Sequence, residues 1–318
     1  MPMKIIDHIN SAKKPFASFE ILPPLKGTNI QDLYNILDPL MEFNPPFINV
    51  TYHRSEFIYK TRENGLLEKV HIRKRPGTVG ICTSIMNKYG VDTVPHIICG
   101  GFTKEETEDA LVDLHYLGIE NLLVLRGDPT KNEGSFSPEP GGHKYAIDLV
   151  NQTMNLNKGR YLEEDLKGVN TNFCVGVAGY PEKHHEAPNP MSDLRNLKAK
   201  VDAGAEYIVT QLFYDNEKYF QFVKNCRDIG IDVPIIPGIK PLTTKKQLTA
   251  LPRIFNIDIP DSFAREIEKC KDDKEAAIIG EEWTINQTKE LLKGGAPCLH
   301  FYTMSKVDGF VRIAKEVL

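Results

Sequence analysis

Leu122-Leu-Val-Leu125-Arg126-Gly127-Asp128-Pro129 is the stretch whose reading decides the fold of this chain. Four apolar residues in a row make a short strand buried on both faces, as parallel sheets require. The run stops in Arg126-Gly127-Asp128-Pro129, with opposite charges on either side of a glycine. Gly127 allows backbone conformations that other residues resist, and Pro129 ends the strand. The carboxyl end of a buried parallel strand is where α/β enzymes place their chemistry. Alone, the tripeptide reads equally as an exposed turn closed by a salt bridge, so its meaning rests on what flanks it.

Working outward, one grammar repeats. Upstream lie apolar strands over 16–21, 47–52 and 94–99, and downstream over 173–181, 207–213, 234–239 and 298–302. Helical patterns separate them, over 29–43, 77–89, 103–118, 145–156, 192–203, after the sixth strand to Gly230, from Thr243–Thr244, loosely over 257–282, and over 307–317. Thr103-Lys-Glu-Glu106 is a capping box, and Gly118 suits a helix C-terminus. Eight strands alternating with helices is the pattern of a (β/α)₈ TIM barrel, an α/β fold, and with no composition break the whole of 1–318 reads as one domain. A doubly wound sheet would carry Gly-x-Gly-x-x-Gly after its first strand, which is absent, as is a P-loop. The segment 54–75 is basic and polar. The loop 131–143 is long for a connection, as lids and disordered excursions are.

With 41% hydrophobic and 26% charged residues, the composition is that of a soluble globular protein. A balance of 39 basic and 43 acidic residues gives a net charge of −4, no general attraction for nucleic acid or membrane. No apolar stretch is long enough to span a bilayer, and Met1-Pro-Met-Lys-Ile-Ile-Asp7 carries no secretory signal. Cys82, Cys99, Cys174, Cys226, Cys270 and Cys298 are far apart and sit mostly in apolar segments, so they read as reduced core residues in a cytoplasmic protein.

Polar residues collect at the strand ends: Glu20, Thr51, His96, Arg126, Asp128, Tyr180, Gln211 and Tyr302. In a barrel these ends share one face and would line one pocket. Glu20 stands between Phe19 and Ile21, where desolvation would raise its pKa and suit a general acid. A salt bridge to a strand-end arginine such as Arg126 would lower it instead, and the residues alone leave both open. His184-His185 beside Glu186 hints at a metal, but adjacent residues rarely aim both rings at one ion, so no metal is expected. Asp193, Asn196 and Lys200 share one helix face that begins at the same end of the barrel. The basic run 71–75 reads as solvated surface.

These residues, in order, resemble the methylenetetrahydrofolate reductase family in its short form, without a regulatory domain. The resemblance runs from Phe19-Glu20-x-x-Pro23-Pro24 through Val50-Thr51-Tyr52, Pro95-His96, Leu125-Arg-Gly-Asp128 and Tyr145-Ala-x-Asp148. It continues in Val177-Ala-Gly-Tyr-Pro-Glu182-x-His184, Asp193-Leu-x-Asn-Leu-Lys-x-Lys200, Thr210-Gln211-Leu-Phe213 and Ile236-Pro-Gly-Ile239, and ends in His300-Phe-Tyr-Thr303. It implies a barrel holding FAD and a ping-pong relay: NADH or NADPH reduces the flavin and leaves, and methylenetetrahydrofolate is then reduced to methyltetrahydrofolate. By resemblance, Glu20 is the acid that protonates the folate nitrogen, and Asp128 lies between flavin and folate, favouring the iminium cation. Flavin contacts carry over to Thr51, Tyr52, His96, Arg126, Gly127 and Asp128. They extend to Tyr145, Ala146, Tyr180, His184, Ala187, Asp193, Asn196 and Lys200. Folate contacts carry over to Gln211, Gln247 and the position of Lys306. A homo-oligomer is the expected assembly.

Three departures stand out. His53-Arg54 replaces Gly-Ala of many bacterial members, Lys306 stands where arginine is frequent, and Leu251 stands where some members place a stacking aromatic ring. Two rival readings come from other classes. One is an FAD-binding subunit of an electron-transfer assembly, reduced by a protein donor such as ferredoxin. The other is a barrel lyase or aldolase, which needs a Schiff-base lysine at a strand end, and none is expected here.

Overall fold

The opening segment, given no element above, already forms a helix. In the computed structural model, which describes residues 3–130, 133–166, 168–304 and 307–318, α1 (Ile5–Ser11) seals the amino end of a barrel. Ile5 is fully buried against Phe47, Val94, Leu123, Cys174, Tyr207, Ile236 and Cys298, the lowest layer of the barrel interior. Its amide donates to Asn121 Oδ1 at 2.9 Å, and Asn121 Nδ2 donates back to the carbonyl of Met3 at 2.8 Å. Seven residues are too few to announce themselves by period.

The barrel follows as β1 (Ala17–Ile21), α2 (Ile30–Met41), β2 (Phe47–Val50), then the hairpin β3 (Glu56–Thr61) and β4 (Leu67–Ile72), α3 (Thr78–Tyr89) and β5 (Asp92–Ile98). Next come α4 (Lys104–Tyr116), β6 (Asn121–Leu125), α5 (Ala146–Leu156), β7 (Cys174–Gly179), α6 (Pro190–Asp202), β8 (Tyr207–Thr210) and α7 (Asn216–Asp228). The chain ends with β9 (Ile235–Ile236), β10 (Gly238–Ile239), α8 (Gln247–Phe255), α9 (Asp261–Lys269), α10 (Asp273–Lys293), β11 (Leu299–Met304) and α11 (Asp308–Val317). The sheet order β10-β11-β1-β2-β5-β6-β7-β8-β9 is parallel throughout, and β9 and β10 are one stave broken at Pro237. Proline has no amide hydrogen for the ladder, but its carbonyl still accepts from the His300 amide at 3.1 Å, so the barrel closes through the break. The fold is the expected α/β (β/α)₈ barrel.

The helices start where their caps dictate. Thr103 and Glu106 make both bonds of the capping box, at 3.2 and 2.8 Å. α6 begins at Pro190, before the expected Ser192, because Asn189 caps the Ser192 amide at 2.9 Å and proline suits the first turn. Two expectations need correction. The segment 54–75 contains a hairpin turning near Asn64-Gly65, with both strands largely exposed, so no alternation marks it. The segment 257–282 is two helices, the second running on to Lys293; the buried face of the second is Ala276, Gly280, Glu281, Thr284, Gln287, Thr288 and Leu291, mostly small or polar, so no apolar period marks it. All six cysteines are buried and unpaired.

Candidate active site

At the carboxyl ends of the strands the barrel opens into a cavity of about 880 Å³. Its wall includes Glu20, Thr51, Tyr52, His96, Arg126, Gly127 and Asp128, and across from them Tyr145, Ala146, Tyr180, His184, Ala187, Asp193, Asn196, Lys200 and Gln211. Parallel strands place their ends at one height, so residues as far apart in sequence as Glu20 and Gln211 converge. The resemblance also pointed to Gln247 and Lys306. Gln247 lies off this wall: its side-chain oxygen accepts from the Thr243 amide at 2.6 Å and the Thr244 amide at 3.1 Å, closing the turn into α8. Lys306 lies outside the described residues.

Glu20 is buried at the end of β1, 7% exposed. Its Oε2 lies 3.4 Å from His96 Nε2 and 3.4 Å from His300 Nε2, and the Thr303 hydroxyl donates to its carbonyl at 2.6 Å. Burial alone would raise this carboxyl, but His96, His300 and Lys240 outweigh it and hold it below its ordinary value. The lowering does not come from Arg126. Burial lowers His96 as well, against the pull of Glu20. Its Nε2 is close to Glu20 without hydrogen-bond geometry, which leaves a buried nitrogen without a hydrogen-bond partner aimed at the site. On the far side of His300, Nδ1 lies 2.8 Å from the Ser18 hydroxyl, which is fully buried.

The central stretch resolves against its simplest reading. Gly127 has φ +84°, the left-handed turn that glycine permits. Arg126 does not pair with Asp128; its guanidinium forks onto both carboxylate oxygens of Glu186, with the Nη2–Oε1 bond at 2.9 Å. Asp128 stays exposed on the cavity rim. The Phe136 ring lies 5.0 Å from the Arg126 guanidinium, so the described part of the loop after β6 is packed over the barrel end.

On the opposite wall, Lys200 donates to the Ala178 carbonyl at 2.9 Å, and burial pushes its ammonium down to about 8. Asp193 accepts from the His184 amide at 2.9 Å and is raised by burial. Burial holds the His184 imidazole down at about 4, with Arg126 and His185 adding to it, so the ring is neutral. Its Nδ1 accepts from the Glu186 amide at 3.2 Å, and its ring meets Tyr180 edge-on at 4.7 Å.

Phe255 and Lys240 of the wall were not in the sequence reading, and the His53-Arg54 and Leu251 departures now find their places. His53 and Arg54 do face the cavity; Arg54 also pairs with Glu133 and packs on Gly100 and Gly101, tying the hairpin to the loop after β6. Leu251 is buried among Leu212, Tyr214 and Leu242, and Phe255, one turn further along α8, lines the cavity instead. Lys240, directly after β10, also lines it. The expectation that no strand ends in lysine is therefore corrected: Pro237 splits the seventh stave into two-residue pieces, and its end falls one residue beyond the apolar run.

Comparison with known proteins agrees with this architecture. The family model described as methylenetetrahydrofolate reductase matches residues 4–317. The Escherichia coli protein named 5,10-methylenetetrahydrofolate reductase is 34% identical over 292 residues, 92% of this chain and 86% of that one. Methylenetetrahydrofolate reductase 2 of Saccharomyces cerevisiae is 33% identical over 307 residues, 95% of this chain and 47% of its own, so the chain spans about half the length of that relative. A solved structure from Clostridium thermocellum, titled as an uncharacterized protein that binds two copies of 5-methyl-5,6,7,8-tetrahydrofolic acid, shares the fold with a TM-score of 0.56 at 14% identity, over 98% of each chain. On the family match and these identities, the chain belongs to the methylenetetrahydrofolate reductase family.

Proposed function

We propose that this chain reduces methylenetetrahydrofolate to methyltetrahydrofolate, using NADH or NADPH and a bound FAD. The observation that carries the reading is the convergence of Glu20, Asp128 and Gln211 on one cavity with the residues expected to hold a flavin. At about 880 Å³ the cavity is at the upper end of the roughly 300–1,000 Å³ of ligand pockets. Its chemistry fits FAD: Arg126 and Lys200 suit the phosphates, Asp193 and Asn196 suit hydroxyls, and the unpartnered Nε2 of His96 offers a buried polar contact. Thr51, Tyr52, Gly127, Tyr145, Ala146, Tyr180, His184 and Ala187 complete the set that would hold it. When bound, FAD supplies the hydride chemistry between nicotinamide and folate.

The chain's own residues handle protons and charge. Glu20 holds a proton at Oε2 until the methylene bridge opens, when the departing folate nitrogen becomes basic enough to take it. A folate ring system over Glu20 excludes water and shifts its balance toward the neutral acid. Asp128 sets a negative charge near the iminium carbon, where positive charge develops. Gln211 offers a side-chain amide for the pterin edge; its oxygen accepts from the Leu212 amide at 2.8 Å, leaving the NH₂ toward the cavity.

The test separates the two half-reactions. Glu20→Gln should retain flavin colour and its bleaching by NADH or NADPH, yet lose folate reduction by about 10²–10⁴, the usual contribution of a general acid. Near-normal folate turnover would remove Glu20 from this role. Protein that takes up no flavin would defeat the reading as a whole, and bleaching only by a reduced protein donor would replace the nicotinamide.

A further inference from the structure

Lys240 is a half-buried lysine on the cavity wall that the expected machinery leaves without a task. It follows β10, in which Ile239 pairs with Phe301, and Phe301 pairs with Phe19 of β1. One residue on, Lys240 stands level with Tyr302 and, beyond it, Glu20, which pairs with Tyr302. Two strand spacings of about 4.8 Å separate the two backbones. A lysine and a glutamate reaching into the mouth together span that gap, and both side chains line the cavity. Among the described residues, no hydrogen bond or ion pair engages the Lys240 ammonium; Glu20 is the anion it interacts with.

Building on the proposed role of Glu20, we infer that Lys240 is a positioning residue for that acid, its ammonium stabilising the carboxylate that remains after Glu20 delivers its proton. The step balances simply. The Oε2–H bond of Glu20 breaks and an N–H bond forms on the folate nitrogen. The C–N bond of the methylene bridge breaks with its electron pair going to that nitrogen. Lys240 keeps its own protons throughout. The nitrogen to be protonated is attached to an aromatic ring and is a weak base, so a stronger acid serves it better. Burial lowers Lys240, and Glu20 pulls it back toward the cation. The other groups facing Glu20 are His96 from β5, His300 and Tyr302 from β11, and His53 beyond β2. Each is retained in the variants, so the change isolates the lysine.

The test uses the full chain labelled with carboxyl-¹³C glutamate, the Glu20 signal being assigned by its absence in Glu20→Gln. In Lys240→Met the Glu20 titration midpoint should move up by about one pH unit, as loss of a nearby opposite charge implies, and Lys240→Arg should restore it. In the holoenzyme, the high-pH limb of the folate half-reaction should move up in parallel, and its plateau should fall several-fold. Should Lys240→Met fail to fold, Lys240→Gln gives the same reading. An unmoved Glu20 midpoint in a folded, uncharged variant overturns the inference. The failure of the underlying reading looks different: Glu20→Gln would then keep folate turnover, whatever Lys240→Met does to the midpoint.

Discussion

Asp128 and Arg126, two residues apart, part company in the fold, and that makes Asp128 testable. Because the guanidinium is held by Glu186, neutralising Asp128 removes no partner from Arg126. Asp128→Asn should therefore leave stability and flavin content unchanged within about 0.5 kcal/mol, as for an exposed substitution. If its charge acts on the folate cation, kcat and kcat/KM for the folate step should fall together, by about tenfold. That is below the ~10²–10³ of a buried preorganised donor, because Asp128 lies on the rim. The flavin midpoint potential should rise as a negative charge leaves its surroundings. Redox titration and stopped-flow kinetics on one preparation decide the matter: an unchanged potential with an unchanged folate rate constant leaves Arg126-Gly-Asp128 a turn without a catalytic part. The partners of these residues were not readable from the sequence. Glu186 reaches Arg126 from 60 residues away, and the imidazoles beside Glu20 arrive on β5 and β11.

At the scale of elements, legibility followed burial. The strands were readable because each is an apolar run covered on both sides, and α4 because Thr103 caps it, whereas the Asn189 cap went unread and the start of α6 was placed two residues late. The elements that escaped lack those signals: α1 is short, the hairpin is exposed, and α10 buries small and polar side chains. α10 carries its own prediction. A Cβ on Gly280 would lie 1.8 Å from the Leu242 carbonyl oxygen, so the helix rests directly on the backbone leaving β10. Gly280→Ala would gain about 1 kcal/mol of helix propensity on an exposed surface. Here the obstacle is backbone rather than a movable side chain, and overpacking of this kind costs about 1–3 kcal/mol or more. The clash wins. Denaturant unfolding should show the variant less stable by at least about 1 kcal/mol, and equal or greater stability would mean that α10 does not rest on the Leu242 backbone at Gly280.

Across the whole molecule, the barrel gathers the strand ends into one mouth, and loops distant in sequence are tied around its rim. This convergence was legible as soon as eight strands were counted. Lys240 was not, because Pro237 hides where the seventh stave ends. One tie on the rim is sensitive to pH. Glu182, after β7, accepts from the Asp258 amide at 2.8 Å, joining the β7 loop to the segment before α9. Its other oxygen is buried without a partner, and burial pushes the carboxyl up to about 7 from 4.5. The folded chain therefore binds more protons at Glu182 than the unfolded chain does between those two values. Stability contributed here is complete below about pH 4.5, declines as pH rises toward 7, and is absent above it. Glu182→Gln keeps an acceptor for the Asp258 amide but cannot ionise. Its Tm relative to the parent chain should rise steadily from pH 4.5 to 7 and then level off, since every other titrating group is common to both. A difference in Tm that stays flat across that window would show that Glu182 is as readily ionised in the folded chain as in the unfolded one, and that this rim tie does not respond to pH.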